Sequence, residues 1–154
     1  LRGVWIAGPA GTGKSRLARQ YPNLYIKSQN KWWDSYNGEK IVLLDDMDSP
    51  LLAHHLKIWS DRYPCSGEIK GGSVQLQHDY IIVTSNFTIT ELFKDSPFET
   101  VDALKRRFHE VYIRSLTTVP AYNPNPRLLS YTVNQALMST PTGPAGVHTR
   151  PITY

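Results

Sequence analysis

Eight residues near the start of the chain, Gly8-Pro9-Ala10-Gly11-Thr12-Gly13-Lys14-Ser15, fit the pattern G-x-x-x-x-G-K-[ST]. A loop of this composition does one kind of chemistry well. Its glycines let successive backbone N–H groups turn inward on an anion. Together with the start of the next helix and the Lys14 ammonium, these groups cradle the β- and γ-phosphates of a nucleotide such as ATP. The Ser15 hydroxyl is then placed to take one coordination position of Mg²⁺. Further on, Asp45 and Asp46 follow the apolar run Ile41-Val42-Leu43-Leu44. A carboxylate at a strand exit beside a phosphate loop can hold Mg²⁺ through water, which assigns Asp45 to the metal. Asp46 is left to orient or deprotonate an attacking water. The bland alternative is that both acids merely start the turn ahead of Ser49-Pro50.

Three more groups complete the chemical inventory. Asn86 ends the strand-like run Tyr80 to Thr84, where its amide can bond both a γ-phosphate and the lytic water, or serve as a plain turn residue. Arg106 and Arg107 carry guanidinium groups on a helix, and phosphoryl transfer calls for a cation at the γ-phosphate that Lys14 alone does not provide. In ring ATPases a neighbouring subunit supplies it. Arg107 is the preferred finger and Arg106 the second candidate, against a solvated basic face as the alternative. Lys70 with Gly71 and Gly72 forms the tip of "EIKGGSVQL", a hairpin pattern in which the Gly-Gly pair supplies positive φ angles. Taken alone, Lys70 is a surface lysine. Beside a phosphate-hydrolysing core, it is positioned to grip one nucleic-acid backbone phosphate, in a contact sensitive to salt and nearly blind to sequence. The cluster Asn30-Lys31-Trp32-Trp33-Asp34-Ser35-Tyr36 suits either base stacking or burial of the tryptophans. His54 and His55, adjacent on a helix, point too far apart to share a metal.

The elements that must hold these groups alternate. Val4 to Ala7 reads as a buried strand, followed by the loop and a helix through Leu17, Ala18 and Tyr21 that Pro22 ends. Leu24 to Ile26 and Ile41 to Leu44 read as strands. Ser49-Pro50 starts a helix with Leu52, Leu56 and Trp59 on one face, and Pro97 opens another that carries Val101, Leu104 and Phe108. Val111 to Ile113 closes the core. Strands alternating with helices predict a mainly parallel α/β sheet sandwiched by helices, with ligands at the carboxyl ends of the strands. From Thr117 the composition turns to Pro, Thr, Asn and Gly, so residues 1–116 are expected to form the core and 117–154 a Pro-rich extension, with Leu128 to Leu137 as one possible docked helix.

Bulk properties bound the alternatives. A chain of 154 residues fits one domain, and its single cysteine, Cys65, excludes an intrachain disulfide and a thiolate zinc site. No apolar run reaches the length of a membrane span, and the expected protein is soluble. The net charge of +4 argues only weakly for nucleic acid, so the placement of the cations matters more than their number. The chain starts at Leu1 without Met and is expected to be part of a longer polypeptide.

In this order the residues resemble the superfamily 3 helicase domain of replication-associated (Rep) proteins from small circular single-stranded DNA viruses, closest to the circovirus type. The resemblance runs from about residue 3 to residue 113 through "GPAGTGKS", "NKWWDSY", "IVLLDD", "DRYPCSGEIKGGSV", "IIVTSN" and "ALKRRF". It implies a P-loop, AAA+-like core using ATP and Mg²⁺, in a helicase that assembles as a ring, a hexamer in the full-length protein, and moves on single-stranded DNA within the host nucleus. It assigns Lys14 and Ser15 to the first motif of that family and Asp45 and Asp46 to the second. Lys70, Gly71 and Gly72 fall in the third, and Asn86 in the fourth. RNA helicases of positive-strand viruses share the superfamily, so RNA stays open as the track. The nicking domain of the resembled proteins has no counterpart here, and nicking and joining are expected to lie outside this chain.

Overall fold

The computed structural model describes residues 2–114 and the backbone of 149–153. Its centre is a six-stranded sheet in the order β2-β3-β6-β1-β7-β8. The strands are β1 (Gly3–Ala7), β2 (Leu24–Ile26), β3 (Ile41–Leu44), β6 (Tyr80–Ser85), β7 (Phe108–Ile113) and β8 (Thr149–Thr153). Every neighbouring pair from β2 to β7 is parallel, and only β8 runs antiparallel, along β7. A second sheet is the two-stranded hairpin of β4 (Ser66–Ile69) and β5 (Gly72–Gln75). The helices are α1 (Lys14–Ala18), α2 (Ala53–Trp59), α3 (Ile89–Leu92) and α4 (Phe98–Arg107), with a 3-10 turn at Pro50–Leu52 leading into α2.

Parallel strands covered on both faces should be apolar at every position, and β1 is buried from end to end. Strand alternation sends its residues to two cores. Val4 and Ile6 join Leu43, Ile82 and Val111 on the face that receives Leu17 and Ala18 of α1. Trp5 and Ala7 join Val42, Leu44, Ile81 and Val83 on the face covered by Leu56 and Trp59 of α2 and Leu104 of α4. Trp5 is the pivot of this second core, with edge-on contacts to Phe93 and Phe108. Each such aromatic pair adds about 0.5–1.5 kcal/mol beyond area burial.

Three local expectations are corrected. The first helix stops at Ala18 rather than running through Tyr21, although Tyr21 still packs in the same core. Phe108 opens β7 instead of ending the helix, because the extended backbone there lets its ring fill the space beside Gly3. At the hairpin only Gly71 has positive φ, at 89°, while Gly72 is the first residue of β5 and pairs with Ile69. One left-handed residue is enough, because Lys70 takes the first turn position at negative φ. The segment Leu128 to Leu137 lies outside the described residues. No described helix is long and apolar enough to cross a membrane.

Candidate functional site

Strand order brings the chemical residues together. The chain leaves β1 for β2 on one side of the sheet and returns to β7 on the other, so the order reverses at β1, where α/β sheets form their ligand crevice. In register, Ala7 lies beside Ser85 and Val83 beside Leu44. The next residues of these three adjacent strands are Gly8, Asn86 and Asp45, all at carboxyl ends. Asp45 and Asn86 line one cavity of about 470 Å³ together with Ala10 to Arg16, Asp46 and Thr84, and Gly8 begins the loop that leads into it.

Gly8 crosses close to β7. A Cβ there would stand 1.9 Å from the Ile113 carbonyl oxygen, at a φ of 154° that side chains rarely take, so no other residue fits. Lys14 is buried and donates to the carbonyls of Gly8 at 2.8 Å and Pro9 at 2.6 Å, with Asn86 Oδ1 at 3.4 Å. Burial pushes its pKa down, and the Asp46 and Asp45 carboxylates oppose that shift.

The acid pair is held from both sides. Asp45 accepts from Ser15 Oγ at 2.8 Å, Thr84 Oγ1 at 2.6 Å and Arg19 at 2.8 Å. Desolvation alone would raise its pKa, but the hydrogen bonds from Thr84, Arg19 and Ser15 outweigh it and hold the carboxyl below its usual range. Asp46 sits in the left-handed region at φ 55°, an unfavourable place for a non-glycine residue and one that recurs at functional sites. Thr84 stabilises this bend, since its hydroxyl also accepts from the Asp46 N–H at 2.8 Å. The same hydroxyl thus serves both acids. Neither Thr84 nor Arg19 is apparent from sequence, because both depend on which strand lies beside β3.

The ATP and Mg²⁺ expectations can be tested against these donors. Ser15 Oγ and Asp45 Oδ1 already stand within hydrogen-bond distance, so a small cation could be shared between a hydroxyl and a carboxylate at that point. Magnesium normally keeps several waters and takes only one or two protein carboxylates beside substrate phosphates. Among the described residues no group of three His, Cys, Asp or Glu side chains is placed to hold a metal ion by itself. The cradle of amides around a buried ammonium suits phosphate. The residues fit both groups.

The remaining predicted residues lie elsewhere. Arg107 precedes β7, and the register Gly3↔Phe108 puts it at the amino end of the sheet, about 20 Å along the strands from the cradle. It cannot serve the cavity of its own chain. It donates to the Ala103 carbonyl and pairs with Asp61 at 3.4 Å, whereas Arg106 is more exposed and pairs with Asp102 one turn back. Lys70 and Gly71 sit exposed at the hairpin tip, with Gly72 beside them. Of the aromatic cluster, Trp33 is fully buried, stacked on Tyr25 and His78, while Trp32 is half-buried with the Lys31 ammonium 4.6 Å from its ring. Lys27, buried beneath this cluster, was not anticipated.

A glycine-rich loop at the switch point of a mainly parallel sheet, with an acid pair at the end of a neighbouring strand, defines the P-loop NTPase-like α/β fold. Comparison with known proteins narrows it. The family model described as RNA helicase matches residues 4–87, more than half of the chain. The chain belongs to this RNA helicase family, the superfamily 3 helicase domain. It is 38% identical over 134 residues to the replication-associated protein of goose circovirus, covering 85% of this chain and 44% of that one. It is 42% identical over 106 residues to the replication-associated protein of porcine circovirus 1, covering 66% of this chain and 34% of that one. The replication-associated protein of a human-associated cyclovirus is 32% identical over 107 residues, 64% of this chain and 38% of that one. The chain thus spans between about a third and under a half of the length of these three relatives.

Proposed function

We propose that the chain is the ATP-dependent helicase motor of a viral replication initiator, hydrolysing Mg-ATP to move along and unwind nucleic acid, with single-stranded DNA as the track. The observation that carries this reading is the hydrogen-bonded chain Ser15–Asp45–Thr84–Asp46 across one cavity. It joins the phosphate loop to the acids through the strand that ends in Asn86. Bound Mg-ATP supplies the γ-phosphoryl group and the cation that neutralises it. Lys14 and the loop amides hold the phosphates, and Ser15 and Asp45 hold the cation. Asp46, exposed to the cavity, would take the proton of a water oriented by Asn86 as the water oxygen bonds to the γ-phosphorus and the bond to the bridging oxygen breaks, releasing ADP and phosphate. Arg107 of a neighbouring copy completes the charge in a ring, a hexamer in the full protein, and Lys70 grips the nucleic-acid backbone. Action in the host nucleus belongs to the same proposal.

RNA is the second reading, and the description of the matched family favours it. Both are tested by ATPase rates with single-stranded DNA, single-stranded RNA or neither, for wild type and Lys70→Ala, alongside strand displacement. Stimulation by DNA over RNA that disappears in Lys70→Ala supports the DNA reading. Preference for RNA replaces it with the second, and no stimulation by either sinks the helicase proposal.

A further inference from the structure

Between β2 and the hairpin runs a short loop, residues 28–33, that touches both the acid pair and β4. At its start the Gln29 side chain donates to the main-chain carbonyls of Asp45 at 3.2 Å and Asp46 at 3.0 Å. At its end the Trp33 N–H donates to the Glu68 carbonyl at 2.9 Å, and Trp32 forms a bridge with the same residue. Trp33 also lies so close to β4 that a Cβ on Gly67 would stand 2.5 Å from its ring. Glu68 and Gly67 belong to the strand that leads to Lys70.

What makes this loop a single body is a buried cation. Lys27 is 2% exposed, and its ammonium spends all three donors on the loop itself, on the carbonyls of Ser28 at 3.0 Å, Asn30 at 2.5 Å and Trp32 at 2.6 Å. It also stands 5.2 Å from the Trp33 ring centre and 5.0 Å from that of Trp59. Gathered round one charge, the loop cannot shift at Gln29 without shifting at Trp33.

A coupling element needs two arrangements that both sites can bias. The Asp46 backbone is the place in this site where a second arrangement is within reach. Its left-handed φ of 55° turns the Asp46 carbonyl to Gln29, and relaxation toward the extended or right-handed region would turn it away. The acid that faces the cavity through its side chain therefore faces the loop through its carbonyl.

We infer that Gln29 is a positioning residue that couples the nucleotide site to the hairpin. The loop of residues 28–33, held as one unit by Lys27, carries the state of the Asp45–Asp46 backbone to β4 and hence to the Lys70 tip. The inference rests on the nucleotide-site reading above and adds the route by which that site addresses nucleic acid. Coupling by this route is reciprocal, so nucleic acid on the hairpin should in turn alter nucleotide affinity.

The test is hydrogen exchange over Ser66–Gln75 in the full chain, with and without Mg²⁺ and a non-hydrolysable ATP analogue, for wild type, Gln29→Ala and Gln29→Glu. Gln29 is exposed, so neither variant threatens the core. In wild type the nucleotide should change exchange of the β4 and β5 amides by roughly threefold or more. In both variants, which cannot donate to the two carbonyls, the change should fall below about 1.5-fold while analogue affinity stays within about threefold. A hairpin that ignores nucleotide in wild type, or responds equally in Gln29→Ala, overturns the coupling. A chain that takes up no nucleotide overturns both this inference and the ATPase reading. An intact, Gln29-dependent response in a protein that binds neither DNA nor RNA upholds the coupling and removes only the helicase reading.

Discussion

The two ends of the parallel sheet are built on opposite plans. At the carboxyl end the cradle, Asp45, Asp46 and Asn86 face one cavity, and Lys14 and Arg19 stand next to the acids. At the amino end a second cavity of about 510 Å³ is lined by Arg2, Arg62, Arg106 and Arg107, with Asp61 the acid among its lining residues. Arg2 donates to the main-chain carbonyls of Asp61 and His78, and Arg107 pairs with the Asp61 carboxylate. One end thus sets an acid pair beside the glycine loop, with Lys14, Arg16 and Arg19 around it, and the other gathers guanidinium groups around one acid. A strand length separates them, so within one chain they cannot meet, whereas two copies stacked side by side could bring one end against the other.

The largest effect should come from breaking that complementarity. Arg107→Ala should lower ATP turnover by about 10³-fold or more, the range of a guanidinium at a γ-phosphate, while nucleotide affinity changes little. Turnover per chain in wild type should rise with protein concentration. Arg106→Ala removes only an exposed pair with Asp102, worth about 0.3–0.5 kcal/mol in a helix, and should leave turnover nearly unchanged. Equal effects of the two substitutions would show that the amino end works as a diffuse basic face, and unchanged turnover in both would end its role in hydrolysis.

The carboxyl end can be probed from within. Thr84→Val keeps the shape of the side chain but removes the hydroxyl that donates to Asp45 and accepts from Asp46 N–H. The orphaned N–H should cost about 1–3 kcal/mol in stability. More telling is the split in kinetics: kcat should fall about 10–100-fold with KM for ATP nearly constant, as expected for groups that position a site rather than bind the ligand. A fall in Tm alone, with kcat intact, would make Thr84 a purely structural partner.

The same contrast explains what sequence could reveal. The carboxyl end was legible because its residues are local motifs placed by strand periodicity, Gly8 to Ser15 after β1, Asp45 and Asp46 after β3, Asn86 after β6. Their convergence follows from a rule about parallel sheets. Thr84, Arg19 and Gln29 were not legible, because each acts through a neighbour fixed only by strand order, which no spacing discloses. Lys27 was hidden for a different reason. A lysine beside a polar loop reads as solvated, and only the tertiary fold of Trp33 and Trp59 over it makes it interior. Phe108 was misplaced because an apolar residue four positions after Leu104 satisfies helical spacing equally well.

Lys27 supplies the smallest and sharpest test, since it is a cation buried away from both ends of the sheet, at 2% exposure against 7% for Lys14. Burial lowers its pKa from 10.5 to about 8, with the Asp34 carboxylate opposing the shift. Between those two values the unfolded chain holds more protons than the folded one, so this group makes stability rise with pH across that window. At one pKa unit to 1.36 kcal/mol, the gain between about pH 8 and pH 9.5 should be about 1–2 kcal/mol. Lys14, whose pKa burial lowers, acts in the same sense, and Cys65, Tyr25 and Tyr36, whose pKa values burial raises, act in the opposite one; both proteins carry all four, so they cancel in the comparison. Urea unfolding of wild type and Lys27→Met at about pH 7.5 and pH 9.5 reads the difference directly. The variant should be the less stable at the lower pH, because the carbonyls of Ser28, Asn30 and Trp32 lose their donor, and it should lack the wild-type increment. The same pH slope in both proteins would mean that the ammonium is solvated like an exposed lysine, and the loop it gathers would lose its claim to move as one piece.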